Sequence, residues 1–174
     1  MTAVSARDIW AVGSYVPAGT GVPYQHRTLT EHWNGSSWSI VPFPDPGGHR
    51  LRSISPLSSV AAVSADDVWA VGTYTRPGQP RRTLIARWNG STWTQVPSVS
   101  PAGRPGVVEL PSPSKPQSGR YSYLAAVAAL AGGPVLAVGA WECKDGFAPI
   151  AERRTPAGWR LSPTPHGGYN LCSA

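Results

Sequence analysis

Arginine and histidine side chains at corresponding places in the sequence are well suited to bind an anionic ligand. Arg27 and Arg82 occupy the same place in two copies of a repeat, and His26 precedes the first of them. A guanidinium group holds a carboxylate or phosphate through two parallel hydrogen bonds. We therefore predict that these three residues contribute to a site for a carboxylate sugar or a phosphate. The alternative is a solvated arginine surface.

Three aromatic residues also correspond between repeats, each two residues after the recurring glycine of a predicted second strand. They are Tyr15, Tyr74 and Trp141. An aromatic ring at the base of a loop can stack on the face of a sugar or pack beneath the loop. We assign them to the candidate site as an aromatic rim, with loop packing as the alternative.

Patterns typical of catalytic and metal sites are missing from the sequence. It contains no Gly-x-Ser-x-Gly elbow, no P-loop and no Gly-x-Gly-x-x-Gly fingerprint. The four histidines show no metal-ligand spacing: His26, His32, His49 and His166. We predict no catalytic residue, no metal and no cofactor.

The two cysteines are Cys143 and Cys172. Cys143 falls in the last loop between a second and a third strand, and Cys172 falls in the incomplete first strand that follows. Both are expected near the same face of neighbouring repeats, so a disulfide bond between them could fasten the C-terminal strand. Free thiols are the alternative, since the sequence does not give the Cα separation that a disulfide requires.

The elements that must position these side chains come from an internal repeat. Residues 4–13, VSARDIWAVG, recur as residues 63–72, VSADDVWAVG, and residues 32–38, HWNGSSW, recur as residues 87–93, RWNGSTW. A third, more divergent copy matches at residues 124–130 and 135–139. Self-similarity at such a period is typical of repeat architectures.

Each copy has the pattern of four short strands. In the second copy, alternating residues rich in Val, Thr and Trp predict strands over 57–63, 68–74, 83–88 and 92–96. Asn89-Gly90 suits the tight turn before the last strand. Four antiparallel strands per repeat describe a blade of a β-propeller. We predict an all-β fold made of about three such blades.

The predicted blades cover residues 1–56, 57–120 and 121–174, as one unit that spans residues 1–174. Residues 101–120 form a Pro-, Ser- and Gly-rich insert. The chain starts at the end of a first strand and finishes with the beginning of one. Because propellers have about four to eight blades, three blades predict a head-to-tail homodimer with a six-bladed ring or a piece of a longer propeller.

The segment Trp88-Asn89-Gly90-Ser91-Thr92-Trp93, followed by Val96-Pro97, resembles a hairpin of kelch and galactose-oxidase-like propellers. Its Gly-x-Thr-Trp ending also resembles a turn of sialidase-like propellers, and the whole repeat is similar to those of bacterial β-propeller proteins. Galactose-oxidase-type chemistry needs copper ligands, which are not found at the matching positions. Sialidase-type chemistry needs three arginines, and Ala148 stands where the third, after Arg27 and Arg82, would be. The resemblance implies an extracellular location, although no signal peptide is recognised after Met1.

The tryptophans mark the repeat and predict its core. The corresponding sets are Trp10, Trp69 and Leu136, and Trp38, Trp93 and Trp159. Residues that recur at one blade position pack between adjacent sheets in repeat proteins. We predict that both sets are buried.

The long connections all fall at one end of the predicted blades. Second and third strands are joined by residues 17–27, 76–82 and 142–149, and successive blades by residues 42–56, 97–121 and 163–168. Binding residues concentrate on loops held by a rigid scaffold. We predict a non-catalytic binding module that recognises a glycan or protein partner there. The alternatives are part of a propeller enzyme, either a glycoside hydrolase or galactose-oxidase-like, and a purely structural self-assembling repeat.

The amino-acid composition limits the classes of partner that we expect for this chain. The chain has a formal net charge of +6, yet its arginines are scattered over loops and do not alternate with exposed aromatic residues, so we expect no nucleic-acid partner. No run of about 18 apolar residues occurs, so we expect no membrane partner. With 41% hydrophobic residues the chain can bury a core.

Overall fold

The computed structural model describes residues 1–18, 26–48, 54–76, 79–98, 121–143 and 146–162, which form twelve β-strands and no helix. The first sheet comprises β1 (Thr2–Ser5), β2 (Asp8–Tyr15), β3 (Arg27–Trp33) and β4 (Trp38–Ile40). The second comprises β5 (Leu57–Ser64), β6 (Asp67–Tyr74), β7 (Arg82–Trp88) and β8 (Trp93–Val96). The third comprises β9 (Ser122–Ala129), β10 (Val135–Cys143), β11 (Gly146–Thr155) and β12 (Gly158–Leu161).

Each sheet is an antiparallel meander in which strands adjacent in sequence are adjacent in space. The four strands of the second sheet begin and end within one residue of the predicted bounds. The prediction of an all-β fold with four antiparallel strands per repeat is therefore confirmed for the described residues.

The third sheet differs from the prediction at one connection. A loop is expected over residues 142–149, but β10 continues to Cys143 and β11 begins at Gly146. Pro149 lies within β11 opposite Ala140. A proline is tolerated there because β12 pairs with β11 only from Glu152 onward, which leaves Pro149 at an open edge of β11.

The turns between third and fourth strands follow the local sequence. The side-chain oxygen of Asn89 accepts hydrogen bonds from the backbone N–H groups of Ser91 and Thr92, at 3.0 and 2.9 Å. Gly90 adopts a φ of 94°, which glycine reaches without a steric penalty. The turn at residues 34–37 repeats this geometry, so the two hairpins close in the same way.

Two hydrophobic cores hold the sheets face to face. One lies between the first and second sheets and the other between the second and third. Alternate residues of β6 serve the two cores: Val68 and Ala70 pack toward the first sheet, and Trp69 and Val71 pack toward the third. The second sheet is therefore buried on both faces, which explains why β6 is buried continuously from residue 68 to 73.

The first strand of each sheet makes the contact with the preceding sheet. β5 packs on β1 and β2, and β9 packs on β5, β6 and β7. The three sheets are thus arranged in sequence order, and the first strand of each later sheet lies against the strands of the sheet before it. This order leaves one face of the first sheet and one face of the third sheet without a neighbouring sheet among the described residues.

The prediction that all six corresponding residues are buried is correct for four of them. Trp10 packs edge to face on Trp93, with ring centroids 5.3 Å apart, and Trp69 packs on Trp159 at 5.4 Å. The prediction is wrong for Trp38 and Leu136, which are 45% and 41% exposed. These two belong to the uncovered faces of the first and third sheets.

The turn between β5 and β6 holds an acid with an altered pKa. The Ser64 hydroxyl donates a hydrogen bond to Asp66, which lowers the pKa of that carboxyl, and a hydrogen bond from the backbone of Asp66 lowers it further. Because the pKa is lower in the folded state, this group stabilises the fold above its unfolded pKa, about 3.9, and the stabilisation is lost as the pH falls through the folded pKa.

Replacing Ser64 by alanine is expected to raise the pKa of Asp66 toward the ordinary value, because the largest cause of the shift is removed. An NMR titration of the Asp66 carboxyl would measure this change. Ser36→Ala, in the equivalent turn of the first sheet, is the control and should leave the titration unchanged. An unaltered midpoint in Ser64→Ala would contradict the assignment.

Candidate ligand-binding end of the sheets

The predicted site residues lie at one end of the three sheets, where β2, β6 and β10 end and β3, β7 and β11 begin. We call it the long-loop end. At the opposite end, the connections are short turns such as residues 6–7 and 65–66. At this end β4 and β8 also finish and β5 and β9 begin, so the connections between successive sheets start and finish there.

The strand register brings the predicted aromatic and arginine positions together in pairs. The opposed residues are Tyr15 with Arg27, Tyr74 with Arg82, and Trp141 with Ala148. Directly opposed residues of an antiparallel pair share a face and have Cβ atoms about 5 Å apart. Two of the three sheets thus present an aromatic ring beside a guanidinium group.

The aromatic residues differ in how far they are available to a ligand. Tyr15 is 43% exposed and lies on the uncovered face of the first sheet. Tyr74 and Trp141 are half-buried and pack against the two cores between the sheets. The alternative for these positions is packing beneath the loops, and it applies to Tyr74 and Trp141, whose rings are partly buried. Tyr15 has the most exposed ring of the three.

His26 takes part in the connection between the first and second sheets. Its carbonyl oxygen accepts a hydrogen bond from the backbone N–H of Ser55 at 2.9 Å. The second and third sheets repeat this contact, because the carbonyl oxygen of Arg81 accepts from the backbone N–H of Ser122 at 3.1 Å. Ser55 and Ser122 are both fully buried. The backbone of His26 therefore fixes the entry of the next sheet, and its side chain is half-buried.

Two further arginines at this end stack on tyrosine rings. The guanidinium of Arg81 lies 5.3 Å from the ring centroid of Tyr121, and that of Arg76 lies 5.8 Å from the ring of Tyr74. Tyr121 is 42% exposed. Tyr121 is not among the predicted site residues, although its position just before Ser122 in the third repeat is a signal that could have indicated it.

A turn over residues 45–48 covers the end of the second sheet. The backbone N–H of Gly48 donates to the carbonyl oxygen of Asp45 at 3.0 Å, and Arg76 Nε donates to the carbonyl oxygen of Pro46 at 2.8 Å. Gly47 lies so close to the Ser55 side chain that an added Cβ would overlap with its hydroxyl oxygen. The turn at Gly47 therefore lies close against Ser55 and the backbone of Thr75.

Polar atoms without a hydrogen-bond partner in the described chain collect at this same end. They are the Nε atoms of Arg27, Arg81 and Arg82, the hydroxyls of Ser55 and Thr75, and both carboxylate oxygens of Asp45. Each atom is withdrawn from solvent. An unpaired buried polar group costs about 1–3 kcal/mol, and more when it is charged, so such atoms favour binding of a complementary polar ligand.

One acid of this end is already engaged by the backbone. The Glu142 carboxylate accepts a hydrogen bond from the backbone N–H of Tyr121 at 3.3 Å, and the backbone N–H of Glu142 donates to the carbonyl oxygen of Tyr121 at 2.6 Å. This pair fixes the start of the third sheet. Asp45, on the connection between the first and second sheets, differs in having no such partner within the described chain.

A second polar group lies near the opposite end, between the second and third sheets. Asp67 binds Arg87 Nε at 2.6 Å and Arg154 Nη1 at 3.5 Å. Both guanidinium groups lie over the ring of Trp69, at 5.7 and 4.9 Å from its centroid. They line a cleft of about 250 Å³ with Trp159. Because these charges are paired with one another, we interpret the group as part of the contact between the sheets.

The described residues contain no group of three or more His, Cys, Asp or Glu side chains close enough to hold a metal ion. They also include no helix that is long and apolar enough to cross a membrane. The predicted disulfide lies outside what the structure describes, since Cys172 and the side chain of Cys143 are not among the described parts. The insert at residues 101–120 lies outside them as well.

Comparison with known proteins gives no family assignment. No protein-family model matches the chain, and no curated protein matches it.

Proposed function

We propose that the chain is a β-propeller-type binding module that holds an acidic glycan at its long-loop end. The propeller part of the proposal is supported by three four-stranded antiparallel meanders stacked in sequence order, each packed on the preceding one through its first strand. This is the arrangement of successive blades. Binding residues in proteins concentrate on loops held by a rigid scaffold, and the long-loop end has this arrangement.

The observation that carries the proposal is the set of unpaired polar atoms at the long-loop end. Arginine Nε groups withdrawn from solvent can each donate to a sugar carboxylate, and this gain offsets the cost of leaving them unpaired. The Asp45 carboxylate, also unpaired, can accept from sugar hydroxyls. Exposed rings at Tyr15 and Tyr121 offer faces for the apolar side of a sugar. Donors, an acceptor and aromatic rings together favour a glycan over a simple phosphate.

Arg82→Gln is expected to weaken binding of a uronic-acid oligosaccharide at least tenfold, about 1.4 kcal/mol, because a charge-assisted hydrogen bond is lost. Isothermal titration calorimetry would measure the affinity, with the carboxyl-reduced oligosaccharide of the same length as the neutral comparison. Arg7→Gln makes the same change of charge on an exposed turn at the opposite end and is the matched control. Equal affinities of the two variants, or equal binding of the acidic and neutral sugars, would contradict the proposal.

The alternative, that the chain belongs to a propeller enzyme, is tested on the same oligosaccharide. Glycoside hydrolysis requires two carboxyl groups on opposite sides of the scissile bond. Asp45 and Glu142 are the acids of the long-loop end among the described residues. Cleavage of the oligosaccharide that is abolished in Glu142→Gln would replace the binding proposal with the enzymatic one.

A further inference from the structure

We propose that the uncovered faces of the first and third sheets bind each other head to tail between two copies of this chain. The outer face of the first sheet carries Trp38 and Ile40, and the outer face of the third sheet carries Leu136, Val138 and Phe147. The partner of each face is therefore the other face on a second copy. This inference rests on the apolar and charged residues of the two faces and not on glycan binding. Tyr15 and Arg27 lie at the long-loop end of the outer face of the first sheet, where a second copy would cover Tyr15 in the way that the first sheet covers Tyr74.

The two contacts inside the chain supply the template for the contact between copies. In both, a tryptophan on the second strand of one sheet packs edge to face on a tryptophan on the fourth strand of the next: Trp10 on Trp93, and Trp69 on Trp159. All four are at most 6% exposed. Two equivalent positions have no such partner within the described chain. They are Leu136, on the second strand of the third sheet, and Trp38, on the fourth strand of the first sheet. A second copy placed head to tail brings Leu136 against Trp38.

The exposed apolar residues follow the same equivalence. Val138 is 47% exposed, whereas Val71, at the same position of the second sheet, is fully buried against the third sheet. Phe147 and Ile40 are 56% and 72% exposed, on the outer faces of the third and first sheets. Apolar side chains gathered on one face mark an interaction surface. Here each outer face carries such a group. The positions of Leu136, Val138 and Trp38 are buried at the contacts inside the chain, whereas Gln95 and Leu161, which match Ile40, are exposed there.

The charges of the two faces are complementary. Arg153 and Arg160 lie opposite each other and exposed on the outer face of the third sheet. Arg153 corresponds to Arg87, but Pro134 stands where Asp67 binds Arg87 in the second sheet, and Arg153 makes no ion pair within the described chain. Glu31 lies on the outer face of the first sheet, opposite Ile40.

Glu31 also corresponds to Glu152, which is fully buried between the second and third sheets. An acid at this strand position is therefore accommodated in a contact between sheets. On a second copy, Glu31 meets a face that offers two guanidinium groups. Opposite charges on the two faces favour their pairing with each other over the pairing of like faces.

Two copies with two head-to-tail contacts contain six sheets, which lies within the range of about four to eight found in closed propellers. Head-to-tail contacts form a ring when the rotation between copies closes. The expected assembly is therefore a closed pair rather than an open filament.

The experiment compares the wild-type chain with Leu136→Glu and Trp38→Glu by light scattering coupled to size exclusion. The wild type is expected at twice the chain mass of 18.4 kDa, and each variant at 18.4 kDa, since a buried glutamate breaks both contacts of the ring. Ser39→Glu places the same charge on the neighbouring exposed residue, on the opposite face of β4, and should remain a dimer. Circular dichroism melting establishes that each variant is folded.

Mixing the two variants distinguishes a direct contact from a general loss of structure. A Trp38→Glu copy retains its Leu136 face, and a Leu136→Glu copy retains its Trp38 face, so the mixture can form one intact contact. We expect the equimolar mixture to give a species of dimer mass that neither variant forms alone. A monomeric wild type, a wild type that assembles beyond two copies, or a mixture that stays monomeric would overturn the proposal.

Discussion

Trp69→Ala is expected to lower the free energy of unfolding by about 3–5 kcal/mol, the usual cost of removing a large aromatic side chain from a core. Trp69 is 2% exposed and packs on Trp159 between the second and third sheets. Its ring also lies under the guanidinium groups of Arg87 and Arg154, which Asp67 holds in place. The substitution therefore removes buried apolar area and two cation–π contacts together.

The matched control is Leu136→Ala, which changes the corresponding residue of the third sheet. Leu136 is 41% exposed, so its truncation should cost less than about 1 kcal/mol. Urea unfolding followed by tryptophan fluorescence would measure both, at a protein concentration low enough to suppress self-association. Equal losses in the two variants would contradict the assignment of the core to the two contacts between consecutive sheets.

The strands could be predicted from the sequence because they depend on local signals. Alternating apolar residues set the lengths of β5 to β8, and Asn89-Gly90 fixes the turn between β7 and β8. Burial could not be predicted in the same way. Trp38 and Trp93 occupy the same position of the repeat, yet one is 45% and the other 5% exposed. The difference arises because the described residues place a neighbouring sheet over Trp93 and none over Trp38, and the local sequence does not encode this.

In the candidate site, too, the positions set by the repeat could be predicted, and the contacts between sheets could not. Repeat equivalence identifies Arg27 and Arg82, and the strand register then places each beside its tyrosine. The stacking of Arg81 on Tyr121 could not be predicted, because the two residues are far apart in sequence and meet only when the third sheet packs on the second. The unpaired carboxylate of Asp45 could not be predicted either, because Asp45 lies on a connection between sheets, where the strand pattern gives no information.

Three equivalent glycines distinguish covered from open strand edges. Gly72 and Gly139 lie in β6 and β10 at irregularities in the pairing with β5 and β9. A Cβ at Gly72 would overlap with the carbonyl oxygen of Pro56, just before β5, and lie 2.9 Å from the Cα of Leu57. A Cβ at Gly139 would overlap with the carbonyl oxygen of Tyr123 in β9 and lie 2.8 Å from the Cα of Leu124. Backbone atoms cannot move aside as a flexible side chain can, so these positions require glycine.

Gly72→Ala and Gly139→Ala are each expected to lower the free energy of unfolding by about 3 kcal/mol, at the upper end of the cost of overpacking. Gly13 is the built-in control, because an added Cβ there meets no atom within 4 Å. In the first sheet, β1 pairs with β2 from Trp10 back to Asp8 and does not reach Gly13. Gly13→Ala should therefore stay within about 0.5 kcal/mol of the wild type. Urea unfolding of the three variants in dilute protein gives the comparison. A loss at Gly13 as large as the others would mean that a further strand lies along β2, and equal small losses would contradict the close approach in the second and third sheets.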